Sequence, residues 1–248
     1  MPPDLPAELL PSDAPSPRLA LYVDGFNLYN RALRPNPSCK WLNLHALFRR
    51  LLPVGNIVSL SYFTAWVSNS PSNPGQWTRQ KIYIRALSTL NPMDIVFGQF
   101  KERVKRMRVA DQDHDEMMNP LKDRRGLKVP YSLYNREQQR VYRVLVVKSD
   151  EKGSDVNLAS HLLRDAFLDK FDVAAIITND SDLVEPIKIA NRHGKKVGVL
   201  SPHTTCVREL SRWANFVKII SPADLAASQF PRVLSDAAGS FHRPERWD

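Results

Sequence analysis

The chain has 248 residues, 43% hydrophobic and 25% charged, which suits one large globular α/β domain. No run approaches the ~18 uninterrupted apolar residues of a membrane span, and the Pro-rich, acidic N-terminus lacks the basic start of a secretory signal. Two distant cysteines, Cys39 and Cys206, exclude a zinc ribbon and a disulfide framework, so a cytoplasmic setting is expected. The net charge of +9 points to an anionic partner, most often nucleic acid.

Residues 1–17 carry six prolines, three acids and no basic residue, and predict a disordered tail. Leu19–Val23 is a short apolar run closed by Asp24-Gly25, the form of a buried strand ending at a turn. Residues 42–52 show helical spacing with Asn43 as cap, and residues 57–66 are a strand rich in β-branched and aromatic residues. A helix over 76–90 and a strand over 93–97 follow, then a strand over 141–148 and a helix over 155–171. Beyond them come a strand over 173–178, a helix ending at Gly194, a strand over 196–200 and an edge strand over 216–220. Residues 227–248 read as a flexible tail, which leaves 18–226 as the domain. Such alternation demands a mostly parallel sheet with helices on both faces, a three-layer Rossmann-like α/β fold. One charged insert, residues 101–140, departs from it with KERVKRMR, ADQDHDEMM and KDRRGLK.

In an open parallel sheet, ligands bind beyond the carboxyl ends of the strands. Asp24 and Asn27 follow the first strand, Asp180, Ser181 and Asp182 follow VAAIIT, and Asp155 opens a helix after Glu151-Lys152-Gly153. Taken singly, each has a plain structural use. Asp24 suits a turn, Ser181 or Asp182 a helix cap, and Asp155 the positive end of a helix. Taken together, four aspartates at one edge repel unless a cation neutralises them. Oxygen-only donors favour Mg²⁺ or Mn²⁺ over zinc, and such a centre activates water for phosphodiester cleavage.

The segments LYVDGFNLYNRAL, EKGSDVNLASHLL and ITNDSDLVEPIKIANRHGKKVGVLSP resemble the NYN domain family of the PIN-like nuclease superfamily, particularly its LabA-like branch. The resemblance implies a PIN-type fold and an acidic Mg²⁺-dependent ribonuclease centre. Its acids fall on Asp24, Asp155, Asp180 and Asp182, and its asparagine on Asn27. The insert lacks the cysteine pair that similar proteins sometimes carry there, so no zinc is expected.

The roles expected from this chemistry place the metal on Asp24, Asp180 and Asp182. Asp155 bridges to a second ion or orients water, and Asn27, Ser181 and Lys152 contact phosphate or metal-bound water. Lys105, Arg106 and Arg108 in the basic run 101–108 are candidate RNA contacts, with Trp66, Tyr83 or Phe100 stacking on bases, though a solvated helix face is the plainer use of such a run. His161 and His193 read as structural. RNA, single-stranded or structured, is the expected partner; no membrane is expected, and nothing in the sequence supports or opposes a homo-oligomer. Two other readings stand beside the endoribonuclease: a non-catalytic RNA-binding module on the same fold, and a phosphatase-like hydrolase. Asp24-Gly25-Phe26 lacks the DxD pattern of the latter.

Overall fold

The first strand, β1 (Arg18–Asp24), is buried on both faces: Leu19, Leu21 and Val23 join one apolar cluster, while Ala20 and Tyr22 join another. A strand with two buried faces reads as a continuous apolar run, which is why LALYV is legible. A computed structural model describes residues 16–71, 73–108, 134–135, 140–141 and 143–247. After β1 come α1 (Gly25–Leu28), a π-helical turn Tyr29–Leu33, and α2 (Leu44–Leu51), whose cap Asn43 accepts from Ala46 N–H at 3.0 Å. Next are β2 (Asn56–Thr64), α3 (Gln76–Leu87), β3 (Asp94–Phe97) and β4 (Gln99–Arg108). Two short strands, β5 (Tyr134–Asn135) and β6 (Arg140–Val141), pair with each other. Then follow β7 (Arg143–Lys152), α4 (Ser154–Phe167), β8 (Val173–Ile177), α5 (Val184–Arg192), β9 (Lys196–Ser201), α6 (Arg208–Trp213) and β10 (Phe216–Ile219).

The central sheet has six strands in the order β10-β9-β8-β1-β2-β3, and every neighbouring pair is parallel. Residues of α2 and α3 pack in the cluster under one face, and those of α4, α5 and α6 in the cluster under the other. This is the three-layer α/β fold that the alternation demands. From β1 the chain builds outward through β2 and β3, then returns to the far side of β1 with β8. The strand order therefore reverses between β1 and β8, where a crevice opens at their carboxyl ends.

Two sequence expectations need correction. The apolar run at 141–148 is not a strand of the parallel sheet. Val141 ends β6, and residues 143–148 lie in β7, which pairs antiparallel with β4 from Gln99–Lys152 to Arg108–Arg143, a ribbon outside the central sheet. Its run of apolar residues is not core: Leu145 and Val147 are 66% and 71% exposed. The basic run 101–108 is accordingly strand rather than helix; apart from Tyr134–Asn135 and Arg140, the rest of the insert lies outside the described residues, as does the tail up to residue 15.

The second correction concerns the C-terminal tail, expected to be flexible from 227 onward. It holds the end of α7 (Pro222–Ala227), then a hairpin of β11 (Val233–Asp236) and β12 (Gly239–His242), then a turn at Glu245–Trp247. Phe230, Phe241 and Trp247 bury their rings around Trp41, with centroids 5.6, 6.4 and 6.3 Å from its own. Arg85 holds the hairpin, donating to both carboxylate oxygens of Asp236 at 2.7 and 2.6 Å and lying over the Phe241 ring. Aromatic burial of this size far outweighs the local polarity of the segment.

Candidate active site

Asp24 ends β1, turns the chain and caps α1: its Oδ1 accepts from Asn27 N–H at 2.9 Å. Gly25 is obligatory in this turn, because a Cβ there would sit 2.7 Å from Phe63 O and from the Tyr62 ring. The neighbouring strand delivers Thr178, whose hydroxyl donates to Asp24 Oδ2 at 3.4 Å and accepts from Asp180 N–H at 3.1 Å. Asp180 then caps the turn Ser181–Leu183 by accepting from Asp182 N–H at 3.0 Å. The cap is thus Asp180, where the sequence suggested Ser181 or Asp182. From the third connection, Asp155 stands in the first turn of α4, and Glu151 Oε1 accepts from Ser154 N–H at 3.1 Å. Gly98 permits that approach, since a Cβ would lie 2.5 Å from Glu151 Oε1 and 2.7 Å from Lys152 O.

These three connections line one cleft of about 410 Å³ at the reversal point, with Asp24, Asp155, Asp180 and Glu151 in its wall. Burial pushes the Asp24 carboxyl up to about 7, against the hydrogen bonds from Asn27 and Thr178, and the charges of Asp155 and Asp180 add to the rise. Asp155 is also raised, by burial first and then by Asp180, Glu151 and Asp182. Among the described residues none of these carboxylates is in an ion pair. Asn27 Oδ1 is buried in the same wall with no hydrogen-bond partner. An orphaned amide oxygen among uncompensated carboxylates is a donor set that fits a hard cation. Among the described residues, no three acidic, His or Cys side chains are grouped closely enough to ligate one ion as they stand.

Of the residues expected from the sequence, Asp24, Asn27, Asp155 and Asp180 line the cleft together. Asp182 stands outside its wall, yet its charge reaches Asp155. Ser181 and Lys152 are exposed beside it and do not line it. Lys105 and Arg106 lie on the ribbon, where Lys105 Nζ is 3.4 Å from Asp150, and the side chain of Arg108 is outside the described residues. Trp66 stacks on Phe97 and Phe100 packs edge-on against Phe26, while Tyr83 is buried with its hydroxyl donating to Leu42 O. His161 and His193 pack against Phe63 and Phe167. Sequence reasoning missed Arg31 and Arg34, which line the cleft with Asn30. Their signal was present: Asn27, Asn30, Arg31 and Arg34 fall at the three- and four-residue spacing of one helical face.

The family profile for the NYN domain matches residues 96–220, half of the chain. The chain belongs to the NYN domain family. The match takes in Asp155, Asp180 and Asp182 but starts after Asp24 and Asn27. The NYN assignment agrees with the PIN-like nuclease fold expected for this sheet. A further similarity is to 6-hydroxy-3-succinoylpyridine 3-monooxygenase HspA of Pseudomonas putida, 27% identical over 255 residues, covering 93% of this chain and 75% of that protein. A solved structure of a protein of unknown function, VPA0982 of Vibrio parahaemolyticus, superposes with a TM-score of 0.47 at 16% identity, covering 86% of this chain and 98% of that one. No helix among the described residues is long and apolar enough to cross a membrane.

Proposed function

We propose that this NYN domain is an endoribonuclease that hydrolyses RNA phosphodiester bonds with Mg²⁺ or Mn²⁺. The observation that carries the reading is the uncompensated acidic wall of the cleft, rimmed on one side by Arg31 and Arg34. Asp24, Asp155 and Asp180, drawn together in the cleft, would hold the ion, with Asn27 Oδ1 as a neutral donor and Asp182 at the outer edge. When bound, the ion supplies an activated water and stabilises charge developing on the phosphoryl oxygens. Arg31 and Arg34 bind phosphates flanking the scissile bond and set the register of the strand in the cleft. Asp155, with its carboxyl raised, accepts the proton of the attacking water. Ser181 and Lys152 approach the phosphate from the outer edge, and Lys105, Arg106 and Arg108 extend the basic track along the ribbon.

The test is cleavage of a labelled RNA, single-stranded and hairpin, with the same sequence as DNA and a phosphomonoester as controls. Cleavage is expected to stop with EDTA, to return with Mg²⁺ or Mn²⁺, and to fall at least ~100-fold in Asp180→Asn. RNA that is bound but never cut would favour the non-catalytic binding module. The likeness to HspA supports a second reading, oxygenation of a pyridine derivative. Oxygen uptake dependent on 6-hydroxy-3-succinoylpyridine and a reductant, together with intact RNA, would decide for it.

A further inference from the structure

A second cavity, of about 460 Å³, opens at the carboxyl end of β2 and shares Phe26 with the acidic cleft. That volume is in the range of sites for small organic ligands. Its walls divide by chemistry. Tyr29, Tyr62 and Trp247 join Phe26 in presenting aromatic surface, and Lys40, Arg79 and Arg246 present three cations. Among the described residues no acidic side chain lines it, and none of the three cations is in an ion pair. Arg79 and Arg246 both donate to one neutral acceptor, Asn73 Oδ1, the second at 3.3 Å. Lys40 Nζ lies 5.5 Å from the centre of the Tyr29 ring. Two guanidinium groups converging without a counter-charge repel, and burial with the nearby Arg246 charge holds Arg79 below its ordinary value. An anion is what relieves such a pair, and aromatic walls take a flat ring.

We propose that this cavity is a binding site for a planar aromatic ring carrying an anionic group, of the size of a nucleoside monophosphate. The ring lies among Phe26, Tyr62 and Trp247, and the anion is held by Arg79 and Arg246 with Lys40 at its flank. The site is separate from the acidic cleft and holds whichever reaction that cleft performs. Its C-terminal wall belongs to the segment that the sequence alone reads as a loose tail.

Calorimetric titration of the full chain with two matched pairs tests this. One pair is adenosine 5′-monophosphate and adenosine; the other is indole-3-acetate and indole-3-acetamide. In at least one pair the anionic member should bind ten-fold or more tightly than the neutral one, and more tightly than inorganic phosphate or acetate. The pair that shows the preference identifies the anion as phosphate or carboxylate. Arg246→Gln and, separately, Lys40→Gln should each erode that preference while melting as the wild type does. These two are chosen because Arg79 also bonds Pro74 O and its loss could loosen the loop. Asp180→Asn, at a residue that lines the acidic cleft and not this cavity, should leave the binding intact, which separates this site from a failure of the hydrolytic reading. No preference in either pair, or a preference unchanged in both variants, overturns the proposal.

Discussion

Asp24→Asn without metal puts the electrostatics of the cleft under direct test. Asp24 is 4% exposed, so solvent does little to screen it. Its carboxyl sits at about 7 against an ordinary 3.8. Because the folded value is the higher one, the native state binds the extra proton between these limits, and stability falls as pH rises through them. The contribution is fully present below about pH 4 and lost above about pH 7. Holding a carboxyl at about 7 in place of 3.8 costs on the order of 4 kcal/mol for the charged form. Asparagine keeps an oxygen for Asn27 N–H and removes the charge, so its metal-free gain at pH 8 approaches that figure. For a domain of this size the shift is up to about 8–16 °C in Tm.

Melting followed by circular dichroism in EDTA at pH 4, 6 and 8 provides the readout. The gap between variant and wild type should be small at pH 4 and widen steadily to pH 8. Adding Mn²⁺ at pH 8 should close it from the wild-type side, since the ion binds the native acidic cleft and stabilises it by mass action. A variant that melts lower than wild type at pH 8 without metal would refute the reasoning. The hydrogen bonds to Asn27 and Thr178 would then outweigh the charge, and Asp24 would be a structural cap.

Arg31→Ala and Arg34→Ala should each weaken RNA binding and reduce the log–log salt slope by roughly 0.7, read by fluorescence anisotropy between 50 and 200 mM salt; an unchanged slope removes them from the phosphate track. Lys105 and Arg106 are adjacent on β4 and so face opposite sides of the ribbon. If RNA lies along one side, only one of Lys105→Gln and Arg106→Gln should lower that slope, and equal losses would argue for diffuse attraction. Trp41→Ala should cost ~3–5 kcal/mol in denaturant unfolding, because three C-terminal rings lose their common partner. A loss below 1 kcal/mol would mean that the C-terminal segment adds little to the core.

What the sequence displays is governed by how local the determinant is. β1 and β8 are legible because both faces are buried, so five consecutive apolar residues mark each strand and the acids beyond mark its carboxyl end. The C-terminal hairpin is illegible for the opposite reason. Phe230, Phe241 and Trp247 are single apolar residues scattered among polar ones, with no period, and acquire a buried face only against distant partners, Trp41 and Tyr83 among them, that the local sequence does not show. β7 misleads in between. VLVV has the composition of a buried strand, but its partner is β4, and two strands without a covering layer leave both faces to solvent. Composition announces a strand there and cannot announce its neighbour.

The same distinction separates the parts of the site. Three acids were found because each terminates an element, and termini carry their own sequence marks: Asp24 before Gly25, Asp155 after Gly153, Asp180 opening a turn. Arg31 and Arg34 were missed because their meaning depends on a register, in which Asn27 faces the cleft and its helical neighbours at +4 and +7 therefore face it too. That register follows once Asp24 accepts from Asn27 N–H, since this bond fixes the first turn of α1 relative to the sheet. One side chain thus sets two features of the cleft. Asp24 places the negative wall by its own charge and, through its cap, turns the positive rim toward that wall. A substitution that removes the charge but keeps the acceptor, as Asp24→Asn does, leaves the rim in place. One that removes both, such as Asp24→Ala, also releases the first turn of α1 and with it the alignment of Arg31 and Arg34.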